Sequence, residues 1–286
     1  MTYEPGCHIM PSERYHADPC PVPSLSRSVI QSLIFKTPAR VYYDSERLNP
    51  AFIKEDADPK FDIGTAAHAL LLEGPEGIQI IDAGDYRSGK AKEDRAAARE
   101  AGKTPLLTHQ YIEVSAMVEA AKKQIAACPE LKVKDLRKDG KSEQTYIWQD
   151  GDIWLRTRLD WISNDSKLIM DYKTTDKTAD PNAFKPEALG YDIQDALYSE
   201  GVEKVSGVKP QFVFVVQETY APYFCSFIAL PPQFREMGQQ KVTYGKFLWD
   251  KCLKSGVWPA YPNQICYVDP SPYALAAWEN RAANIS

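Results

Sequence analysis

Apolar residues recur at helical spacing through the first half of the chain and at strand spacing through its middle. Ser24 or Ser26 is positioned to cap a helix through Val29-Ile30 and Leu33-Ile34, and Pro38 opens a short helix through Tyr42-Tyr43. Residues 64–73 (GTAAHALLLE) read as one apolar helix, Ile78–Ile81 as a short strand, and residues 90–101 as a charged, Ala-rich, solvated helix. Thr108–Ala127 reads as an amphipathic helix, with Ile112, Ala116 and Met117 three and four apart.

The period then changes from helical to alternating. Strands are expected over 145–148, 153–162 and 167–173, separated by turn signals at Asp150-Gly151 and Asn164-Asp165-Ser166, which makes an antiparallel meander. A helix over 191–205 follows, then strands over 211–217 and 222–230, and helices over 234–254 and 274–281. This order predicts an α/β fold with a central mixed sheet flanked by helices.

Composition narrows the class. The chain has 286 residues, 44% apolar and 26% charged, which suits a folded globular protein. Its 34 Lys+Arg against 39 Asp+Glu give a net charge of −5, which argues against coating nucleic acid by charge alone. The six cysteines are scattered and none forms a C-x-x-C pair, so reduced thiols in the cytoplasm are expected rather than a zinc or iron–sulfur site. No secretory signal and no membrane span are expected, because no apolar run reaches the roughly 18–20 residues required. Pro and Gly cluster in irregular arms near both ends.

The chemistry concentrates in the meander. Alternation over 153–162 assigns Leu155, Thr157, Leu159 and Trp161 to one face, and Arg156, Arg158 and Asp160 to the other. The next strand adds Asp171 and Lys173, so Asp160, Asp171 and Lys173 can share one side of a hairpin. Two neighbouring carboxylates repel unless a cation lies between them or one is protonated. Oxygen donors suit Mg²⁺, with Mn²⁺ as substitute, and a nearby lysine suits metal-assisted phosphodiester hydrolysis. The bland alternative is a solvated sheet face with ordinary charge pairs. His68 follows small residues on an apolar helix, where a satisfied core histidine is the bland reading. Gln194 and Tyr198, four apart, share a helix face that is otherwise a half-buried polar rim.

GTAAHALLLE, LRTRLD, MDYKTT and QDALYS, in that order, resemble the RecE-type (exonuclease VIII) phage recombination nucleases, in the RecB-like branch of the PD-(D/E)xK superfamily. The resemblance covers most of the chain. It implies a single nuclease domain over 1–286, made of an N-terminal helical arm (1–60), a nuclease core (61–230) and a C-terminal helical segment (231–286). It implies His68, Asp160 and Asp171 as metal ligands, Lys173 as the catalytic lysine, Gln194 and Tyr198 as the pair behind the site, and Glu143 as an acidic neighbour. Leu159 stands where the superfamily's name has proline, and Asp171 where it has glutamate. The resemblance further implies 5′-to-3′ digestion of double-stranded DNA ends, a ring-shaped homo-oligomer, a RecT-type annealing partner, and work in the cytoplasm of a bacterial host.

Phosphate contacts are expected from Arg156 and Arg158 beside the site and from Arg87 and Lys90 before the charged helix. The run Lys132, Lys134, Arg137, Lys138 and Lys141 reads by default as a solvated loop. Gly84 to Lys90 fits G-x-x-x-x-G-K, but Ala91 stands where a phosphate-binding loop needs Ser or Thr, which argues against an NTPase. An endonuclease or repair nuclease of the same superfamily, and a non-catalytic DNA-binding scaffold, are the alternatives.

Overall fold

The computed structural model describes residues 2–53 and 63–283. Strand β1 (Gly6–Ile9) precedes helices α1 (Ser12–His16), α2 (Arg27–Phe35) and α3 (Pro38–Tyr43). Then come α4 (Ile63–His68), β2 (Ile78–Ile81), α5 (Gly89–Glu100), β3 (Thr104–Leu107), α6 (Thr108–Ala127) and α7 (Leu136–Asp139). The meander is β4 (Gly140–Asp150), β5 (Ile153–Ser163) and β6 (Leu168–Thr175). The chain continues through α8 (Pro186–Leu189), α9 (Tyr191–Ser206), β7 (Gln211–Glu218), β8 (Cys225–Ile228), α10 (Pro232–Ser255) and α11 (Pro272–Ala282).

Six strands form one sheet in the order β1-β4-β5-β6-β7-β8. Every neighbouring pair is antiparallel except β6–β7, which runs parallel in register Asp171↔Phe214. A parallel pair needs a crossover, and α9 supplies it. Side-chain alternation along β6 and β7 divides the core between the two faces. Ile169, Phe212 and Phe214 pack with Ile193 and Leu197 of α9 and Val242 of α10. Met170, Val213 and Val215 pack on the opposite face with Met117, Val118 and Ala121 of α6. At the α9–α10 crossing a Cβ on Gly238 would lie 2.1 Å from the Asp192 carbonyl oxygen, so only glycine permits this approach.

Several expectations change here. The helix over 64–73 is not uniform: α4 ends at His68 and a π turn spans Ala69–Glu73, with Gly74 N–H donating to the Ala69 carbonyl. Three consecutive leucines cannot share one face of a regular helix, whose residues turn about 100° apart. Leu70, Leu71 and Leu72 are nonetheless all buried, because they meet neighbours on more than one side of this turn. The N-terminal arm is not wholly helical, because β1 joins the main sheet as an edge strand against β4. Part of that arm and the start of the expected core, residues 54–62, lie outside the described residues. A separate parallel pair, β2–β3, also forms; β3 carries a proline and is too short to announce itself. In the C-terminal segment α10 contributes Val242 and Trp249 to the core, whereas α11 buries no side chain. Among the described residues no helix is long and apolar enough to cross a membrane.

Candidate functional site

The site forms where the meander loses its regularity. The β4–β5 ladder pairs Ser142 with Trp161 and Gln144 with Leu159, and skips the pair between them, Glu143 and Asp160. Glu143 has φ +56°, a conformation few non-glycine residues adopt. The β5–β6 ladder holds only Trp161↔Met170 and Ile162↔Ile169. Beyond them the strands part, and the Asp160 carboxylate accepts the Tyr172 N–H at 2.8 Å instead. This break shifts the phase of β5. Leu155 and Leu159 pack with the α9 core, but Trp161 joins the α6 core, so the expected common face for all three does not hold.

The parted strands open a mouth that the end of α4 enters. His68 Nε2 lies 3.2 Å from Asp160 Oδ2, and its Nδ1 lies 3.8 Å from Glu143 Oε1. One ligand atom each from His68, Glu143 and Asp160 falls within 4.8 Å of the others. Asp171 is fully buried on β6, with Lys173 paired to its Oδ1 and Gln194 of α9 donating to its Oδ2. Tyr198 lies one turn further along α9, buried against Phe212.

Electrostatics shows how tightly the charges are packed. Burial would lower the His68 pKa, but the hydrogen bond to Asp160 and the charges of Asp160, Glu143 and Asp171 outweigh it and raise it to about 9. Burial, and then the Asp160 charge, push Asp171 up to about 6. Burial also raises Glu143, partly offset by Arg158. Asp160 goes the other way: burial opposes its ionisation, but His68 and Lys173 overcome it and hold the carboxyl low. The imidazolium of His68 thus supplies the positive charge that the clustered carboxylates require.

Over residues 38–270 the chain matches the model of a PDDEXK-like domain of unknown function (DUF3799). The chain belongs to this family. No curated protein matches the sequence. Among solved structures, the chain is similar to a protein named "Putative exonuclease" from Eubacterium rectale, at 14% identity and a TM-score of 0.56, over 94% of this chain and 99% of that one. At that identity the likeness establishes the α/β fold.

The other expected residues of this PDDEXK-like domain separate into groups. Arg156 points inward: it is 7% exposed, lies 3.2 Å from Asp18 and donates to the Ser24 carbonyl at 2.9 Å. That corrects its reading as a phosphate contact, since a buried cation with its own carboxylate is not free for DNA. Arg158 is close to the site, but its guanidinium bonds Glu143 and orients that carboxylate. Arg87 lies on the exposed β2–α5 loop, paired with Asp85, and Lys90 follows it in the first turn of α5. The Ser88 hydroxyl accepts the Ala91 N–H and fills the helix N-terminus where a phosphate-binding loop would seat its ligand. In the basic run, Lys134 bonds the Ala126 carbonyl, while Arg137 and Lys138 pair with Glu76 and Asp135.

One site residue escaped the sequence reading. The Lys173 ammonium lies 5.5 Å from the centre of the Tyr191 ring, which packs on Phe184 and Phe214. Its only signal was position, three residues before Gln194 on the same helix.

Proposed function

We propose that this chain is a Mg²⁺-dependent exodeoxyribonuclease that digests duplex DNA from 5′ ends and leaves 3′ single-stranded overhangs. The observation that carries this reading is the convergence of His68, Glu143 and Asp160 beside an Asp171–Lys173 pair, at the break in a PDDEXK-like sheet. The residues fit a divalent cation. Among the described residues Glu143 Oε1 is buried without a hydrogen-bond partner, and two carboxylates with one imidazole form a donor set suited to Mg²⁺ or Mn²⁺. His68, Glu143 and Asp160 would hold the ion, with Asp171 across the parted strands, and His68 must shed its proton to do so. Once bound, the cation polarises the scissile phosphate and lowers the pKa of water.

The rest of the chemistry belongs to the side chains. Lys173, held by Asp171 and the Tyr191 ring, is positioned to orient the attacking water and to offset charge that develops on the phosphate. Gln194 fixes the Asp171 carboxylate, and Arg158 fixes Glu143. The polarity, a RecT-type annealing partner, a ring-shaped homo-oligomer and a phage-recombination role in a bacterial cytoplasm rest on the order of the four sequence motifs.

A time course on linear duplex labelled separately at its 5′ and 3′ ends, with and without Mg²⁺, tests the reaction. We expect Mg²⁺-dependent loss of the 5′ label first, intact covalently closed circles, and no digestion by folded Asp160→Ala, Asp171→Ala or Lys173→Ala. Cleaved circles would replace the exonuclease with an endonuclease, and full activity in either Asp variant would remove the site assignment.

A further inference from the structure

The charges around the candidate site are largely matched internally. Lys173 pairs with Asp171, Arg158 with Glu143, and Arg156 with Asp18. A strand of DNA carries a phosphate about every 3.4 Å of its axis, and a nuclease needs cations along that track. Among the described residues Arg27, the first residue of α2, has no carboxylate partner. Its Nη2 donates to the Leu189 carbonyl at the exposed rim, and its buried Nε has no partner among the described residues. The guanidinium lies 5.9 Å from the centre of the Tyr191 ring, the same ring that Lys173 approaches to 5.5 Å.

We propose that Arg27 binds a backbone phosphate next to the reacting one, with Tyr191 as the platform that aims both Arg27 and Lys173. This rests on the nuclease reading above. Arginine suits the task, because its planar fork grips phosphate oxygens while its face stacks on an aromatic ring. The Leu189 carbonyl occupies one edge of the fork, which fixes its orientation before DNA arrives and leaves the remaining exposed N–H groups for an anion.

The test is equilibrium binding of a short blunt duplex in EDTA, followed by fluorescence anisotropy at several salt concentrations. Wild type is compared with Arg27→Gln, Arg27→Lys and Arg40→Gln, the last an exposed arginine paired with Asp44. One lost phosphate contact should reduce the slope of log K against log salt by about 0.9. Arg27→Gln should show that reduction with roughly tenfold weaker binding, since a charge-assisted hydrogen bond is lost. In digestion, its KM should rise more than its kcat falls. Arg27→Lys should keep the slope and lose only a few-fold in affinity, and Arg40→Gln should match wild type. A folded Arg27→Gln with wild-type affinity and slope overturns the proposal. So does a slope that falls in Arg27→Lys, where the charge is retained. Wild-type protein that neither binds nor cuts duplex overturns the nuclease reading itself, and Arg27's role with it.

Discussion

Replacing Glu143 with glutamine asks whether the third metal ligand comes from β4, as the gathered side chains suggest, or only from Asp171, as motif order alone suggests. The change removes a charge and one of the two oxygens: the amide keeps a single oxygen, which can serve Arg158 or the ion but not both. The Glu143 and Asp160 oxygens lie within 4.8 Å of each other. Two unit charges at that separation repel by about 3.5 kcal/mol at an effective dielectric near 20, and the substitution relieves this. On the same scale a dication about 2.1 Å from a carboxylate oxygen is attracted by roughly 16 kcal/mol, most of it offset by lost hydration. The repulsion is present with and without the ion and cancels in the affinity, so the affinity follows the part of the attraction that hydration does not offset. We expect metal affinity to fall at least about 100-fold, or about 3 kcal/mol. Calorimetric titration of the metal-free protein with Mn²⁺ measures this directly, with Asp171→Asn as the parallel variant. In digestion, the half-saturating Mg²⁺ concentration should rise by a similar factor while KM for DNA stays constant. A Glu143→Gln affinity within threefold of wild type would refute the reasoning and return the cage to His68, Asp160 and Asp171.

Two further predictions concern charges away from the metal. Burial raises the Asp195 pKa to about 6, against the opposing pull of Arg235 and Ser199. With its folded pKa above the usual value near 4, its contribution to stability is full below about pH 4 and is lost as pH rises through 6. Asp195→Asn should therefore exceed wild-type stability at pH 7.5 by up to about 3 kcal/mol, or roughly 6 °C in Tm, with the gap closing towards pH 4; a gap independent of pH would refute this. Arg156→Gln leaves Asp18 buried without its closest cation, so urea unfolding should show a loss of about 3 kcal/mol, while the salt slope of DNA binding stays unchanged; a reduced slope would restore Arg156 as a phosphate contact.

What could be read from the chain was local. Thr108–Ala127 matches its expected bounds because an amphipathic stripe is written in neighbours three and four apart. The strands of the meander were legible from alternation and turn residues, although each extends beyond its expected bounds. Gln194 and Asp171 were legible as members of an ordered set, and the structure joins them by a hydrogen bond across 23 residues. Asp160 and His68 also meet, although a single apolar helix over 64–73 gave no hint of the π turn that follows His68.

The residues that alternation misled lie where regularity fails. Trp161 changes faces because Glu143 and Asp160 drop out of the ladder, and no periodicity contains its own interruption. Arg156 and Arg158 occupy adjacent positions on one side of a strand, yet their roles depend on carboxylates brought in by other segments, Asp18 from the N-terminal arm and Glu143 from β4. Sequence by itself determined the class of fold, the order of its main elements and the identities of the chemical groups. Tertiary structure decided which carboxylates face one another, which cations are already neutralised, and that Arg27 has no carboxylate partner among the described residues. The physical reason is range: periodicity and turn chemistry act over a few residues, whereas a charge takes its role from every group that folding places within a few ångströms of it.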